Sequence, residues 1–478
     1  MARVLGGAVS PPWLRRVGTP PLEAVGRRGS RAVVPTESAR LRRPRVVRRE
    51  EDRADGPPPV CRPPDVVRAT SSGLERPEIR LRQGETRSPG SRRALALVAI
   101  VLLLASSTWF SAAAVVPQLR SEWQLSNAVA AWLTIAVQLG FVIGAVASSA
   151  VNLADILPPR LVILGSAAGA GATNLLLVLA HGPGLAIPLR LLTGAFLAGV
   201  YPPVMKVTAT WFDRPRRGTA LGILVGASAV GSALPHLVNA VGGLDWRTVV
   251  YGTSALSLAG GLLALFGLRE GPFRFPRGVF DPRQARLVFA NRGVRLASLG
   301  YFGHMWELYA MWTWFLLFFS SALGAHGGTS RAALATFAVI GIGLAGSWVG
   351  GVAGDRWGRP ETAIAMMAGS AACALLIGLL DSAPAWLILL VGLAWGFTVL
   401  GDSAQFSTLV TDLADQSYVG TALGLQTAFG FGLTTATIWL VPRLETAVGW
   451  RWAFAFLAPG PLLGIAAMAR LRATTPGP

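Results

Sequence analysis

The stretch GVAGDRWGR at residues 351–359 lies between two long apolar runs and is the most informative part of the chain. It brings Asp355, Arg356 and Arg359 together, so that these charges can pair with one another or with neighbouring helix ends. Gly358 can take a backbone conformation that a side chain would forbid. Two membrane-spanning helices joined so briefly must both end at the same face of the membrane. The stretch therefore predicts a tight polar turn between two such helices.

Three landmarks in the sequence recur about 200 residues apart, and the first of them is a weaker copy of the 351–359 pattern. The stretch VNLADILPPR at 151–160 places Asp155 in the position of Asp355, although prolines replace the glycine and the last arginine. GTALG occurs at 218–222 and again at 420–424, which is an offset of 202 residues. A Trp-Arg pair at 246–247 recurs at 450–451. Three landmarks in one order at one spacing predict a tandem duplication of halves of roughly 200 residues.

Apolar runs long enough to span a bilayer recur along the chain, separated by short polar breaks. They predict an all-α membrane protein with twelve transmembrane helices, arranged as two six-helix pseudo-repeats. The predicted helices are 94–116, 127–151, 160–180, 185–209, 217–240, 247–268, 296–320, 332–353, 361–380, 385–408, 418–441 and 450–470. The corresponding domains are a tail at 1–93, six helices at 94–268, a basic linker at 269–295, six helices at 296–470 and a tail at 471–478.

Composition excludes several classes of protein. A chain of 478 residues that is 52% hydrophobic is too apolar for an ordinary soluble protein. The net charge of +19 comes without a basic, aromatic-interleaved fold, so no nucleic-acid partner is expected. Two cysteines give no disulfide framework. There is no nucleotide-binding loop, metal-ligand spacing or catalytic motif, so we expect no enzyme activity, no metal and no cofactor.

The first 93 residues contain 21 Arg and 10 acidic residues and show no apolar period. This pattern predicts a disordered tail. An alternative interpretation is that the protein starts near Ser91 and that the upstream stretch is not part of it. The central linker contains seven Arg, so the positive-inside rule predicts that both termini are cytoplasmic.

The 351–359 stretch resembles the loop signature G-x-L-A-D-R-x-G-R of the major facilitator superfamily, matching it at Gly351, Asp355, Arg356, Gly358 and Arg359. The resemblance implies two six-helix bundles that rock about a central site lined by helices 1, 4, 7 and 10. It also implies that this loop latches the inward-closed state. The sequence around helices 1, 2 and 7 resembles that of a bacterial branch near the cyanate and nitrate transporters. This resemblance implies a bacterial inner membrane. Nitrate porters use an arginine in helix 2 and another in helix 8, and neither predicted span has one here.

Ionisable residues inside predicted spans are costly and default to functional hypotheses. His304 and Glu307 are three residues apart on the seventh predicted helix, so they share a face. Glu307 is about eleven residues into that helix, near mid-bilayer, where desolvation favours a protonated carboxyl group. His304 would share or pass that proton. The alternative is a helix–helix hydrogen bond with no role in turnover.

Two further charged residues are candidates. Asp402 on the tenth predicted helix is either a second proton or substrate carboxylate, or a solvated residue near the cytoplasmic end. Arg190 and Gly194 resemble the superfamily's R-x-x-x-G motif in helix 4, where the arginine is linked to proton coupling. The alternative for Arg190 is an interfacial side chain that snorkels outward.

Neutral polar and aromatic residues complete the candidate site. Each either lines a substrate cavity or serves as helix–helix packing. They are Trp109, Gln138, Trp314, Gln405 and Gln426.

These features predict a transporter that moves a small solute by alternating access, coupled to protons, within the lipid bilayer. The substrate would be a small organic anion bound by Arg190 or an efflux substrate bound by Glu307. The alternatives are a transporter-like membrane sensor and a uniporter without proton coupling. Oligomeric state and transport direction are not encoded in any motif.

Overall fold

The computed structural model describes residues 90–150, 157–212, 214–241, 245–273, 282–324, 328–415 and 417–474, and these residues contain helices but no strand. The predicted tail 1–93 falls almost wholly outside this part of the chain, as does Asp155. What the sequence predicts for those positions stays a prediction.

The described chain forms twelve long helical segments, which we label α1–α12. The first six are α1 (Ser91–Ser106, Ser111–Ala114 and Val116–Trp123), α2 (Asn127–Ala150), α3 (Pro159–Leu175, then Leu176–Leu179), α4 (Pro183–Leu197 and Tyr201–Ala209), α5 (Arg214–Ala240) and α6 (Trp246–Gly267). The second six are α7 (Arg292–Leu323), α8 (Gly328–Gly341 and Gly343–Trp357), α9 (Arg359–Ile377, then Gly378–Leu380), α10 (Ala385–Gly401 and Ser403–Leu413), α11 (Val419–Val448) and α12 (Trp450–Ala453, Ala455–Leu457 and Pro459–Thr474). Short helices at Pro282–Gln284 and Ala285–Ala290 precede α7.

Length and hydropathy make most of these segments suitable for spanning a membrane. Nine stretches of the described chain are at least 18 residues long and apolar enough to cross a bilayer. α7 and α11, at 32 and 30 residues, are also long enough. The outward surface carries large apolar side chains, such as Phe266 at 81% exposure and Leu463 at 70%, which suit contact with lipid tails. The predicted all-α fold is confirmed.

The signature stretch is less of a loop than its sequence suggests. α8 continues to Trp357 and α9 begins at Arg359, so Gly358 alone connects them. Gly358 has φ 106°, a left-handed conformation that favours glycine. Gly351, Asp355 and Arg356 therefore lie in the last two turns of α8. We call this end of the helices the motif end.

The first and second six helices meet along two seams. α2 packs against α11, and α5 packs against α8. On the second seam, a Cβ at Gly222 of α5 would lie 2.7 Å from the carbonyl oxygen of Ser347 on α8. Glycine at this position lets the two backbones approach closely, which replaces the hydrophobic driving force that is absent between helices in lipid.

Candidate functional site

Glu307 lies in the middle of α7 and is 1% exposed. Its Oε1 atom accepts hydrogen bonds from the Ser370 hydroxyl at 2.8 Å and from the Trp395 indole N–H at 2.5 Å. Ser370 belongs to α9 and Trp395 to α10, so the carboxyl group faces the interior of the last six helices. No cation pairs with it among the described residues.

His304, one turn before Glu307, contacts Asp402. Its Nδ1 atom lies 2.8 Å from Oδ1 of Asp402, which is within ion-pair distance when the imidazole is protonated. The two side chains are 1% and 2% exposed. Asp402 stands at the break in α10, between Gly401 and Ser403, and is buried rather than solvated at the helix end. The sequence placed both residues in spans but did not pair them.

Together, α7 and α10 bury two carboxyl groups and one imidazole. Burial in an apolar environment penalises an unpaired charge, so each carboxyl group needs a proton or a cation nearby. His304 supplies a titratable group in contact with Asp402. This arrangement can take up, hold and release protons.

Arg190 lies in a different environment, among the first six helices. It is fully buried, so it does not snorkel. Its guanidinium donates to the Thr108 carbonyl at 3.0 Å, to the Trp109 carbonyl and to the Leu133 carbonyl at 3.3 Å. It also donates to the Ser111 hydroxyl at 3.0 Å.

The Arg190 contacts explain the interruption of α1 between Ser106 and Ser111. Carbonyl groups freed by a helix break need donors, and a planar guanidinium offers five N–H groups. Asn174 of α3 extends the network, since it accepts from Arg190 at 3.1 Å and donates to Ser254 of α6 at 2.9 Å. Within the described chain no carboxylate pairs with Arg190.

The neutral candidates do not form one cluster. Trp314 donates its indole N–H to the Ile438 carbonyl of α11 at 3.0 Å. Gln405 donates to the Gly350 carbonyl of α8 at 2.9 Å, close to the signature stretch. These contacts favour helix–helix packing for both residues.

Three other candidates keep polar atoms without a partner among the described residues. Gln138 of α2 is fully buried with both amide atoms unpaired, and Gln426 of α11 has an unpaired Nε2. The indole N–H of Trp109 is unpaired as well.

Trp109 belongs to a set of six aromatic rings that we call the ring cluster. Its members come from the middles of four helices and from both halves of the fold. They are Trp109 and Phe110 of α1, Phe141 of α2, Tyr309 and Trp312 of α7, and Phe431 of α11. The sequence singled out Trp109, Trp306 and Trp312 as possible cavity walls, and of these Trp109 and Trp312 belong to the cluster. The remaining rings were missed because single aromatic residues in an apolar span carry no distinguishing pattern.

The signature residues join the two halves at the motif end. The Thr219 hydroxyl of α5 donates to Oδ2 of Asp355 at 2.8 Å. Arg359 lies 3.6 Å from Asp355 and 3.4 Å from Asp412 at the end of α10. Arg356 is exposed.

Comparison with known proteins identifies the family. Residues 98–438 match the sequence profile described as Major Facilitator Superfamily. The chain belongs to this superfamily. It is a transporter by family and not an enzyme.

Two solved structures of other transporters share the fold. A D-xylose-proton symporter is 16% identical with a TM-score of 0.62, and the match covers 80% of this chain and 97% of that one. A proton:xylose symporter bound to 6-bromo-6-deoxy-D-glucose is 15% identical with a TM-score of 0.63, covering 82% and 97%.

A curated relative matches over a shorter region. A gallate transporter of Pseudomonas putida is 29% identical over 151 residues. The match covers 32% of this chain and 32% of that relative's length.

Proposed function

We propose that this superfamily member is a proton-coupled secondary transporter of a small solute and that Glu307 carries the proton. The observation that supports this proposal most directly is the burial of Glu307 with neutral hydrogen-bond partners only. A carboxyl group in such an environment is stable when protonated, whereas its charged form is costly to bury. Movement of α7 that admits water would let the proton leave.

His304 and Asp402 serve as the adjoining part of the relay in this proposal. Asp402 lies at the break of α10, where a small rotation of the second helical piece would separate it from His304. The loss or gain of this contact would change the charge that Glu307 experiences. Proton uptake and helix movement would thereby depend on each other.

The signature stretch would act as the latch of the motif end. Its link from Asp355 to Thr219 joins α8 to α5, and therefore the second half to the first. At the opposite end, Asn127 of α2 approaches Glu445 of α11 at 3.4 Å. Alternating access would require these two contacts to break in turn.

A small organic anion is the substrate class we favour over an efflux substrate. The relative named a gallate transporter supports this choice, and the buried Arg190 adds a positive charge to the first half. Placement near the cyanate and nitrate branch stays a prediction. So do a bacterial inner membrane and cytoplasmic termini.

The test is proton movement in proteoliposomes containing the full chain, with organic anions and amphiphilic cations added in turn. We expect substrate-dependent proton flux that Glu307→Gln abolishes while solute binding remains. The matched control is Glu361→Gln, which removes a carboxylate that pairs with Arg472 at the motif end. Undiminished proton flux in Glu307→Gln would remove Glu307 from the mechanism. Solute flux without protons would indicate a uniporter, and binding without any flux would indicate a sensor.

A further inference from the structure

The ring cluster joins the first six helices to the last six near the middles of four helices. Phe141 and Phe431 have ring centroids 4.5 Å apart, and Trp109 and Tyr309 are stacked at 6.0 Å. In each of these pairs, one ring belongs to the first six helices and the other to the last six. Rocking of the halves must separate these faces. Four aromatic faces then line the space between them.

Separated rings would need a replacement partner with a similar surface. Aromatic rings attract one another through offset stacking and edge-to-face contacts, beyond the burial of apolar area. A planar aromatic solute reproduces those contacts, whereas a saturated ring of similar size does not. Separated rings of this kind therefore favour a solute with a π face.

Unpaired polar atoms accompany the rings. The indole N–H groups of Trp109 and Trp312 are buried without partners among the described residues, and so is the amide of Gln138, one turn before Phe141. A buried donor without an acceptor is costly. An oxygen-bearing substituent on the solute would relieve that cost.

Charge near the cluster favours an anion. Arg190 is buried, pairs with no carboxylate in the described chain and donates to the carbonyl of Trp109 itself. Its hydrogen bonds go to neutral acceptors, which leave its positive charge uncompensated. A carboxylate placed near Trp109 would experience an attractive potential that water screens little in a buried site.

We infer that the ring cluster is the binding site of a small aromatic carboxylate. The aromatic ring of the solute lies among Trp109, Phe141, Tyr309 and Phe431, and the oxygen atoms of the solute accept hydrogen bonds from the unpaired N–H groups. This inference rests on the proposed transport function and names its substrate class.

Equilibrium binding to the full chain in nanodiscs tests the inference without requiring transport. The probes are benzoate, cyclohexanecarboxylate and benzyl alcohol, which separate the aromatic face from the negative charge. We expect benzoate to bind about two- to tenfold more tightly than cyclohexanecarboxylate, since that is the contribution of one aromatic pair to affinity. Benzyl alcohol should also bind more weakly than benzoate, because it lacks the negative charge that Arg190 attracts. Equal affinity for benzoate and cyclohexanecarboxylate, or no benzoate binding at millimolar concentration, would overturn the assignment. Equal affinity for benzoate and benzyl alcohol would overturn its anionic part.

Variants locate the preference within the protein. Phe141→Leu and Phe431→Leu should each reduce the preference for benzoate over cyclohexanecarboxylate several-fold. Phe319→Leu is the matched control, because Phe319 is a buried ring of α7 that stacks on Phe315 outside the cluster. A preference that survives both cluster variants would overturn the site.

The binding assay also separates this inference from the proposed function. Glu307→Gln should keep the preference for benzoate even when proton coupling is lost. Benzoate binding without proton movement would contradict the coupling and support the site. Glu307-dependent proton flux with solutes other than aromatic acids would do the reverse.

Discussion

The crossing of α2 with α4 and the crossing of α8 with α10 are built alike. A Cβ at Gly194 of α4 would lie 2.0 Å from the Val137 carbonyl oxygen of α2. At Gly396 of α10, which is 202 residues later, a Cβ would lie 1.8 Å from the Val339 carbonyl oxygen of α8. Both crossings bring backbones together at a glycine, as small residues do in membrane helices.

The buried charges of the two halves are not alike. The first half buries Arg190 in a shell of neutral acceptors, whereas the second buries Glu307, His304 and Asp402. The residue 202 positions after Arg190 is Gly392. The duplicated positions thus maintain the packing, and the unduplicated ones carry the charges. This difference suggests that one half is a structural anchor and the other the site of proton chemistry.

The largest effect is expected from Arg190→Ala. Its removal leaves the carbonyl groups at the α1 break without donors, and hydrogen bonds that involve a charged group contribute about 1.5–3 kcal/mol each. We expect the free energy of unfolding to fall by about 3–5 kcal/mol. The measurement is the thermal unfolding midpoint of the purified protein in detergent, which should fall as well. Glu307→Gln, which keeps the shape and one acceptor oxygen, should unfold close to the wild type.

Arg190→Lys sharpens this contrast. A lysine carries the same charge but cannot reach carbonyl groups on two helices with a rigid fork of donors. It should recover less than half of the lost stability. A stable Arg190→Ala protein that has lost only proton coupling would contradict the structural role of Arg190. It would support the role in proton coupling that the helix 4 motif implies.

Matched glycine substitutions test whether the two crossings are equivalent. Gly194→Ala and Gly396→Ala should each destabilise the protein by about 1–3 kcal/mol, because the added methyl group forces two helices apart. Gly165→Ala is the control, since a Cβ there meets no atom within 4 Å. A large loss from one crossing and none from the other would show that the halves are not packed equivalently.

A double-mutant cycle on His304 and Asp402 tests whether the second half contains a relay. If their 2.8 Å contact matters for coupling, His304→Asn and Asp402→Asn should each slow proton-linked flux. The double variant should then be little worse than the more severe single variant. An interaction free energy of about 1–2 kcal/mol is expected. Purely additive effects would show that the two residues act separately.

The sequence allowed the helices to be predicted because apolar length and charge breaks are local properties. Glu307 and His304 were recognised for the same reason, as ionisable residues within one apolar run. The contact between His304 and Asp402 was not predicted, because it joins residues 98 positions apart on different helices. The break in α1 was missed because no proline or glycine marks it between Ser106 and Ser111. It depends on Arg190, whose partners only the tertiary fold supplies.

The smallest expected effect concerns the contact that joins the halves at the motif end. Thr219→Val removes the hydroxyl that donates to Asp355 at 2.8 Å and keeps nearly the same shape. A hydrogen bond in a partly exposed position contributes about 1 kcal/mol, so the population with an open motif end should rise about fivefold. Thr398→Val is the control, because Thr398 bonds only to the backbone of its own helix.

The opening is measurable as the distance between spin labels at Arg160 and Arg470, which are exposed on α3 and α12. A longer-distance population should grow in Thr219→Val and not in Thr398→Val.

Thr421, 202 residues after Thr219, occupies the equivalent place in the second half. If the degenerate first copy of the signature still acts as a latch, Thr421→Val should open the same end to a similar degree. No change would show that a single latch, from Asp355 to Thr219, joins the halves there.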